Sequence, residues 1–334
     1  MIRILQIAIL ACVFGWQAQA SERPRIGAAL YGLEAEFMQL WSAAIKQHPS
    51  VTSGDVDLKI FDGAYSEQTQ SDQFDEMIGD AYDAIIFVPL NETLGADLVS
   101  RAHAAGIPVI GSNTRVDSDL VTAYIGSDDV EGGYLEAIHV LETMGCRGNV
   151  VILEGPIGQS AQLSRLEGNR KALAECPEVK ILEQATANWQ ETEAKTLMAT
   201  WLEAHGSAIK GVIGQNDEMA LGAIDAIKSN DLSVFDFIIS GIDGVTAALE
   251  AVERGEMTSI LQDAVAQSQG ALDLALHHLD PTYEPQSAIW EKYPTLTWQG
   301  GTQGDYVVPW TPVAIHNVAE LLEERTQLQN AAGQ

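Results

Sequence analysis

The sequence predicts two α/β domains, each built on a doubly wound parallel sheet. Short apolar runs alternate with amphipathic stretches of helix length along the chain, which is typical of parallel strands joined by crossover helices. About nine such runs exceed one sheet of ordinary size. The chain has 334 residues, of which 46% are hydrophobic, so two domains with real cores are expected.

Each predicted strand is a short apolar run, as expected for strands buried on both faces. These runs occupy residues 26–30, 56–61, 84–88, 107–110, 122–125, 149–153, 179–182, 211–213 and 237–241, with a further stretch at 259–261. The predicted helices have apolar residues at a helical spacing. They occupy residues 34–47, 67–80, 93–105, 129–144, 162–175, 191–205, 217–229 and 244–254. The polar segment Ser127-Asp128-Asp129 is the predicted first domain boundary.

The N-terminus has the pattern of a secretory signal peptide. Arg3 precedes an apolar run over residues 4–16, and Ala18-Gln19-Ala20 forms a small-residue cleavage site before Ser21. A membrane anchor and a lipid attached to Cys12 are the alternatives. We expect cleavage after Ala20 and a mature protein exported to the periplasm.

The charge and the motifs of the chain exclude several functions. The formal net charge is −29, which disfavours binding to a phosphate backbone, so no nucleic-acid partner is expected. The sequence has no G-x-S-x-G, no P-loop and no H-E-x-x-H. The histidines are scattered and the cysteines lack a zinc-site spacing, so neither a metal nor another cofactor is expected.

Removal of the signal peptide leaves two cysteines, Cys146 and Cys176. Each follows a predicted helix and precedes a predicted strand, which places both at the same edge of the sheet, opposite the strand ends. A disulfide between them is consistent with an oxidising compartment. Two buried thiols that act as small apolar residues are the alternative.

Amides, carboxylates, an arginine and aromatic residues follow the carboxyl ends of the predicted strands, where open parallel sheets bind ligands. The candidate binding residues are Tyr31, Phe37, Met38, Asn113, Thr114, Arg165, Trp189, Asn216, Asp243 and Gln262. Helix capping is an alternative for Asn216 and its neighbour Asp217, but capping does not explain the aromatic residues or Arg165.

This mixture of side chains suits a sugar or a polyol. Carboxylates accept hydrogen bonds from hydroxyls, the arginine fork donates to two neighbouring oxygens, and amides do both. Aromatic rings cover the apolar C–H faces of such ligands.

Several blocks of the sequence resemble the periplasmic solute-binding proteins of the ribose-binding type, which belong to ABC sugar importers. The strongest is QNDEMALGA at 215–223, supported by GIDG at 241–244, GSDDVEGG at 126–133 and GQSA at 158–161 followed by RLEG at 165–168. The resemblance covers most of the mature chain and thins after about residue 280, where 283–304 looks longer than usual.

The resemblance implies two similar domains joined by a three-crossing hinge, with the ligand in the cleft between them. The N-terminal domain is expected at 21–127 plus 263–305, and the C-terminal domain at 128–262 plus 306–334. By position, Asn216, Asp243 and Arg165 correspond to sugar ligands of the family. The expected partners are a small carbohydrate and a membrane permease, and the protein is expected to be a monomer.

The chain also departs from the ribose binders. They carry an Asp-Arg pair where this chain has Asn113-Thr114, Arg115 comes one residue late, and Val88 replaces an Asn. Another monosaccharide or a sugar alcohol is therefore as compatible as ribose.

Three other functions are alternatives. A sensory binding protein that docks on a receptor or kinase has the same sequence features. A transcription regulator with this type of ligand-binding core needs a helix-turn-helix in front of the core. In this sequence the predicted export signal occupies that position. As an enzyme, the chain could use Asp217 and Asp243 as a carboxylate pair for glycoside chemistry, but no catalytic motif supports this alternative.

Overall fold

The structure, a computed structural model, describes residues 23–298 and 304–332 of the chain. It contains two α/β domains, each built on one six-stranded sheet, which confirms the predicted fold class. The predicted signal peptide, residues 1–20, lies outside the described residues.

The described residues form twelve strands. They are β1 (Arg25–Leu30), β2 (Asp57–Asp62), β3 (Ala84–Val88), β4 (Val109–Ser112), β5 (Ala123–Gly126), β6 (Arg147–Glu154), β7 (Glu178–Thr186), β8 (Gly211–Gly214), β9 (Ile238–Asp243), β10 (Thr258–Leu261), β11 (Asp305–Val307) and β12 (Thr311–Val313). The first sheet has the order β11-β5-β4-β3-β1-β2, and the second has the order β12-β10-β9-β8-β6-β7. These two orders correspond strand for strand, so both domains have the same doubly wound topology.

Pairing within the sheets is parallel except between β10 and β12, which are antiparallel. Strand β7 extends well beyond the predicted run at 179–182. It lies at the edge of its sheet and alternates between exposed and half-buried positions, so an apolar run marks only part of it.

The helices lie mostly where the amphipathic pattern predicts them. They are α1 (Glu36–Lys46), α2 (Pro49–Thr52), α3 (Glu67–Gly79), α4 (Glu92–Ala104), α5 (Asp129–Thr143), α6 (Ser160–Glu175), α7 (Glu191–His205), α8 (Asp217–Ser229), α9 (Thr246–Glu253), α10 (Ala264–Leu279), α11 (Ile289–Lys292) and α12 (Val318–Ala332). Two short 3₁₀ turns occupy Gly206–Ala208 and Val234–Asp236. Helix α12 contacts both α1 of the first domain and α9 of the second.

The chain passes between the sheets three times, after β5, after β10 and between β11 and β12. Strand β11 pairs with β5 of the first sheet. The N–H of Val308 continues this contact by donating to the carbonyl of Gly126 at 2.8 Å. The third crossing therefore falls after Val307, slightly later than the boundary between 305 and 306 that the sequence suggested.

Apolar strands form the centre of each domain. All five residues of β3 are buried, and so are Val150, Val151, Ile152 and Leu153 of β6. Helices cover both faces of these strands, which is why the strands have continuous apolar runs. Full burial of one such aliphatic side chain contributes roughly 1.5–3 kcal/mol to stability.

The segment after α10 is held by a buried carboxylate, that of Asp273. This side chain accepts hydrogen bonds from Nε2 of His48 at 3.0 Å, from the hydroxyl of Tyr283 at 2.6 Å and from the indole N–H of Trp290 at 2.7 Å. The hydroxyl of Ser287 also donates to it. This cluster ties the long segment after residue 280 to α10.

A second carboxylate, that of Asp263, lies at the start of α10 beside a domain crossing. It accepts hydrogen bonds from Nζ of Lys292 at 2.8 Å and from the hydroxyl of Tyr293 at 2.6 Å. The described part of 283–304 therefore contacts the hinge through Lys292 and Tyr293, a role that the sequence pattern did not predict.

The predicted disulfide is present in the structure. Cys146 and Cys176 are bonded, with their Cα atoms 4.8 Å apart. Cys146 lies between α5 and β6, and Cys176 ends α6 just before β7. The bond is therefore at the edge of the second sheet that faces away from the strand ends. In the described parts of the chain, every helix is too short or too polar to span a bilayer.

Candidate functional site

The carboxyl ends of the strands of both sheets face each other across the domain boundary. The cavity between them is narrow, with a volume of only about 10 Å³. A sugar-sized ligand can therefore enter only if the domains first move apart. The lining residues are Tyr31, Ala35, Phe37, Asn113, Thr114, Gln159, Ala161, Arg165, Trp189, Asn216, Asp243 and Gln262.

The structure brings all the sequence-predicted site residues to this cavity except Met38. Met38 is fully buried in the core of the first domain. It follows Phe37 on α1, and one residue along a helix turns the side chain by about 100°. Phe37 therefore lines the cavity, whereas Met38 packs beneath it, and the assignment of Met38 to the site is wrong.

Arg165 is the cationic centre of the site. Its Nε donates to Asp129 at 2.9 Å, its Nη1 donates to the carbonyl of Gln215, and its Nη2 lies 3.9 Å from a carboxylate oxygen of Asp243. Burial by itself would lower the pKa of Arg165, but the charges of Asp129 and Asp243 raise it above the ordinary value. The side chain is therefore a fixed, charged donor.

Asp243 ends β9 and presents its carboxylate to the cavity. Its φ is 122°, a backbone conformation that residues other than glycine rarely adopt. Burial raises the pKa of Asp243 well above its ordinary value, although the charge of Arg165 opposes the shift. A buried carboxylate of this kind needs hydrogen-bond donors, and ligand hydroxyls can supply them.

Gln262 and Asn113 form an amide pair across the domain boundary. Nδ2 of Asn113 donates to Oε1 of Gln262 at 3.2 Å and to Oε1 of Gln267 at 3.1 Å. Nε2 of Gln262 is buried and has no hydrogen-bond acceptor among the described residues. Because leaving a buried donor unpaired is costly, this amide group is suited to a ligand oxygen.

Two aromatic rings provide the apolar walls, Phe37 from the first domain and Trp189 from the second. The indole N–H of Trp189 donates to Oε1 of Gln159 at 2.6 Å, which fixes the ring. The ring lies directly over Gly155, where an added Cβ would come within 2.0 Å of it. Tyr31 adds a third ring, packed edge to face on Tyr65 at 5.4 Å.

Asn216 has both of the roles considered for it. Its Oδ1 accepts the N–H of Met219 at 2.9 Å and so caps α8, while the residue also lines the cavity. Thr114 is similar, because its hydroxyl donates to the carbonyl of Pro89 at 2.8 Å. Both side chains are already held by the protein and offer the ligand their remaining lone pairs.

Asp217 lies outside the cavity, next to the strands. Its carboxylate accepts hydrogen bonds from the hydroxyl of Ser259 at 2.7 Å and from the N–H of Val245 at 3.0 Å. It therefore supports the loop after β9, and no pair of carboxylates formed with Asp243 faces the cavity.

Gln159 is the main lining residue that the sequence prediction missed. It lies in the loop after β6, and its Nε2 donates to the carbonyl of Pro89 in the other domain at 3.0 Å. Its position after a strand end was the available signal. Asp129, which holds Arg165, was also missed, because only the fold brings the start of α5 next to α6.

Arg115 does not reach the cavity. Its guanidinium lies over the ring of Tyr124, 3.6 Å from the centroid, and forms an ion pair with Asp305 at 3.2 Å. Its backbone N–H instead donates to the hydroxyl of Ser160 across the domain boundary at 2.6 Å. Together with the hydrogen bond from the N–H of Glu92 to the carbonyl of Gly158 at 3.0 Å, this contact shows a closed cleft.

Wider depressions lie at the mouth of the cleft and on the outer face of the first domain. They are larger, but the converging buried polar groups line the narrow cavity, which we take as the site. Within residues 23–298 and 304–332, no group of three or more His, Cys, Asp or Glu side chains is arranged to hold a metal ion.

Two parallel-sheet domains that enclose a small cavity with polar groups and aromatic walls define a cleft-type ligand-binding protein. Residues 26–282 match the family described as periplasmic binding protein domain. The chain therefore belongs to the periplasmic binding protein family. Members of this family bind ligands and catalyse no reaction, which confirms the prediction that the chain is not an enzyme.

The chain is similar to several characterised members of the family. It is 32% identical over 267 residues to the xylitol-binding protein of Mycolicibacterium smegmatis, covering 79% of this chain and 75% of that protein. An ABC transporter solute-binding protein of Bacillus halodurans with bound myo-inositol is 30% identical, with a TM-score of 0.79 over 90% of this chain and 98% of that one. One of Actinobacillus succinogenes with bound D-allose is 28% identical, with a TM-score of 0.75 over 89% and 99%.

Proposed function

We propose that this protein captures a small neutral carbohydrate, either a monosaccharide or a sugar alcohol, and delivers it to an ABC importer. The observation that carries the proposal is the cavity between the domains, which is lined by Phe37 of the first domain and Trp189 of the second and on which polar groups converge. Arg165 and Gln262 donate there, and Asp243 accepts. This combination matches a ring or chain with hydroxyls at its edge and C–H groups on its faces.

The charge of the site supports a neutral ligand. Arg165 is already paired with Asp129 and lies 3.9 Å from Asp243, so its charge is compensated by the protein. A phosphate or carboxylate on the ligand would add an uncompensated negative charge beside these buried carboxyl groups, which is unfavourable. The similarity to binding proteins for xylitol, myo-inositol and D-allose points in the same direction.

Further details of the proposal concern the partners and the mature protein. The proposal includes a permease partner, a monomeric state, cleavage after Ala20 and the first two domain boundaries, at 127/128 and 262/263. Relatives described as import binding proteins favour import over a sensory role. Light scattering and intact-mass measurements on exported protein test the monomer and the mature N-terminus.

A thermal-shift screen tests the ligand class. The panel contains xylitol, myo-inositol, D-allose and D-ribose, with amino acids and sugar phosphates as comparison groups. A ligand at 100 times its Kd stabilises the folded protein by about 2.7 kcal/mol, which raises Tm by several degrees. Calorimetric titration then gives the Kd and a stoichiometry of one per chain.

A shift with amino acids or sugar phosphates, and none with the carbohydrates, would contradict the proposal. Asp225→Ala, an exposed change on the outer side of α8, is the matched control and should respond like the wild-type protein.

A further inference from the structure

Asp243 is held in its unusual backbone conformation by the far end of the chain. Its φ of 122° and the φ of 66° at Gly244 make a sharp turn after β9. Positive φ at a residue with a side chain is strained and persists only where the surroundings impose it. The turn therefore needs partners that fix its backbone.

Arg325 of α12 supplies those partners. Its Nε donates to the carbonyl of Gly244 at 3.0 Å, and its Nη2 donates to the carbonyl of Asp243 at 3.4 Å. The side chain is 6% exposed, so its hydrogen bonds lie out of water. A planar guanidinium can hold two adjacent carbonyls at once, which an ammonium group cannot do with the same geometry.

The same turn connects two polar groups of the site. The carbonyl of Asp243 also accepts the backbone N–H of Gln262 at 3.3 Å, and the side chains of both residues line the cavity. Arg325 itself does not line the cavity. Burial lowers the pKa of Arg325, and the nearby charges of Asp263 and Glu36 oppose that shift, so the guanidinium remains a cation among carboxylates.

We propose that Arg325 is a positioning residue for ligand binding, which fixes the turn 243–245 and so aims the carboxylate of Asp243 into the cleft. Helix α12, which carries Arg325, has a second role, because it contacts α1 of the first domain and α9 of the second. The C-terminal helix thereby connects the geometry of the site to the packing between the domains. The binding arm of the test below rests on the proposed function, whereas the exchange arm does not.

The test compares Arg325→Met and Arg325→Lys with two controls. Leu321→Ala removes buried packing from α12 and leaves the guanidinium in place. Arg254→Met makes the same chemical change at a half-exposed arginine. Hydrogen exchange of the peptide spanning 240–248 is measured without ligand, Tm is measured for each protein, and myo-inositol and xylitol are titrated by calorimetry.

We expect exchange in 240–248 to accelerate at least tenfold in Arg325→Met, with at least a tenfold loss of affinity for whichever probe binds the wild-type protein. Arg325→Lys should show a smaller acceleration of exchange and a smaller loss of affinity than Arg325→Met, because its ammonium group can still donate to one of the two carbonyls. Leu321→Ala should lower Tm and leave exchange in 240–248 and the affinity close to wild type. Arg254→Met should change neither exchange in 240–248 nor the affinity.

The inference is overturned if the Arg325 variants lower Tm as Leu321→Ala does but leave exchange in 240–248 unchanged. If Arg325→Met does not fold, the same comparison is made with Arg325→Lys. If neither probe binds the wild-type protein, the titrations use the carbohydrate that the thermal-shift screen identifies. If no carbohydrate of that panel binds, the proposed function fails, and exchange in 240–248 still decides whether Arg325 fixes the turn.

Discussion

The carboxylate of Glu218 accepts a hydrogen bond from the backbone N–H of Glu36 across the domain boundary, at 3.0 Å. The side chain of Glu36 in turn accepts hydrogen bonds from the N–H of Thr246, at 3.1 Å, and from its hydroxyl. Glu36 and Thr246 are the first residues of α1 and α9, and neither helix has a side-chain cap from its own preceding residue. Each domain therefore caps a helix of the other, but only while the cleft is closed.

Glu36→Ala should favour the open cleft. It removes the carboxylate that caps α9 from the other domain, and loss of such a cap costs about 0.5–2 kcal/mol. We expect a larger radius of gyration by X-ray scattering and weaker carbohydrate binding by the same free energy. Glu34→Ala is the control, because its contact with Gln190 is a longer hydrogen bond of 3.3 Å at the exposed mouth. Equal affinity and radius for wild type and Glu36→Ala would contradict the prediction.

Thermal stability should fall as the pH rises from about 5.5 to about 8.5. Burial raises the pKa of Glu218 to about 8, from an ordinary value of 4.5, and the charges of Asp217 and Glu36 add to the shift. Burial also raises the pKa of Glu136 to about 8 and that of Asp217 to about 6. A carboxyl group whose pKa is higher in the folded protein stabilises the fold at pH values below its ordinary pKa. This contribution to stability is lost as the pH rises through the pKa of the folded protein.

Carboxylates whose pKa is lowered in the folded protein affect its stability only at lower pH. The pKa values of Asp263 and Asp273 are below 3.8, so their contribution is lost only as the pH falls in that range. Melting curves of wild type and Glu218→Gln measure the effect, and the variant should show a smaller decrease in Tm over this window. Glu203→Gln, an exposed change on α7, should behave like wild type. A Tm that rises with pH would show that the sign is wrong.

Asp243→Ala should weaken ligand binding by about 2–4 kcal/mol, because a buried charged acceptor is lost. Arg165→Ala should have at least this effect and should also lower Tm, because it leaves the buried carboxylate of Asp129 without its cation. Both variants should stay folded. Calorimetry and melting curves measure both effects, with Asp236→Ala, an exposed carboxylate, as the control. An affinity of Asp243→Ala within twofold of wild type would remove this residue from the site.

Most of the site could be predicted because parallel strands all end at one edge of their sheet. A polar residue that follows an apolar run, such as Asp243 after β9, is therefore placed by local pattern alone. Contacts between distant segments could not be predicted, because they have no local signal in the sequence. Arg325 meets Asp243 only because α12 returns to the hinge, and Glu36 caps α9 only because the domains close.

Local pattern also has a limit within one helix. Phe37 and Met38 are equally apolar neighbours, and only the rotation of α1 against its sheet decides which of them faces the cleft. The third crossing was misplaced for a related reason, since β11 and β12 have three residues each and too little pattern to mark a boundary.

Gly155→Ala should impair the site and leave the fold intact. The new methyl group would lie 2.0 Å from the ring of Trp189, so the ring must move and the hydrogen bond to Gln159 must break. We expect at least tenfold weaker carbohydrate binding and altered tryptophan fluorescence. Gly79→Ala at the end of α3 is the matched control, because its added Cβ meets nothing within 4 Å. If Gly155→Ala binds as tightly as wild type, the ring of Trp189 is not a wall of the site.

The disulfide between Cys146 and Cys176 should stabilise the protein without affecting ligand affinity. It closes a loop with a sequence separation of 30 residues, for which the loss of unfolded-state entropy corresponds to roughly 3 kcal/mol. The bond joins the ends of α5 and α6, on the side of the second sheet away from the cavity, so it contacts no group of the site. The double variant Cys146→Ala/Cys176→Ala should therefore melt several degrees lower and bind the carbohydrate with unchanged Kd. Thiol titration of denatured, unreduced mature protein supplies the direct check: no free thiol supports the bond, and two per chain would contradict it.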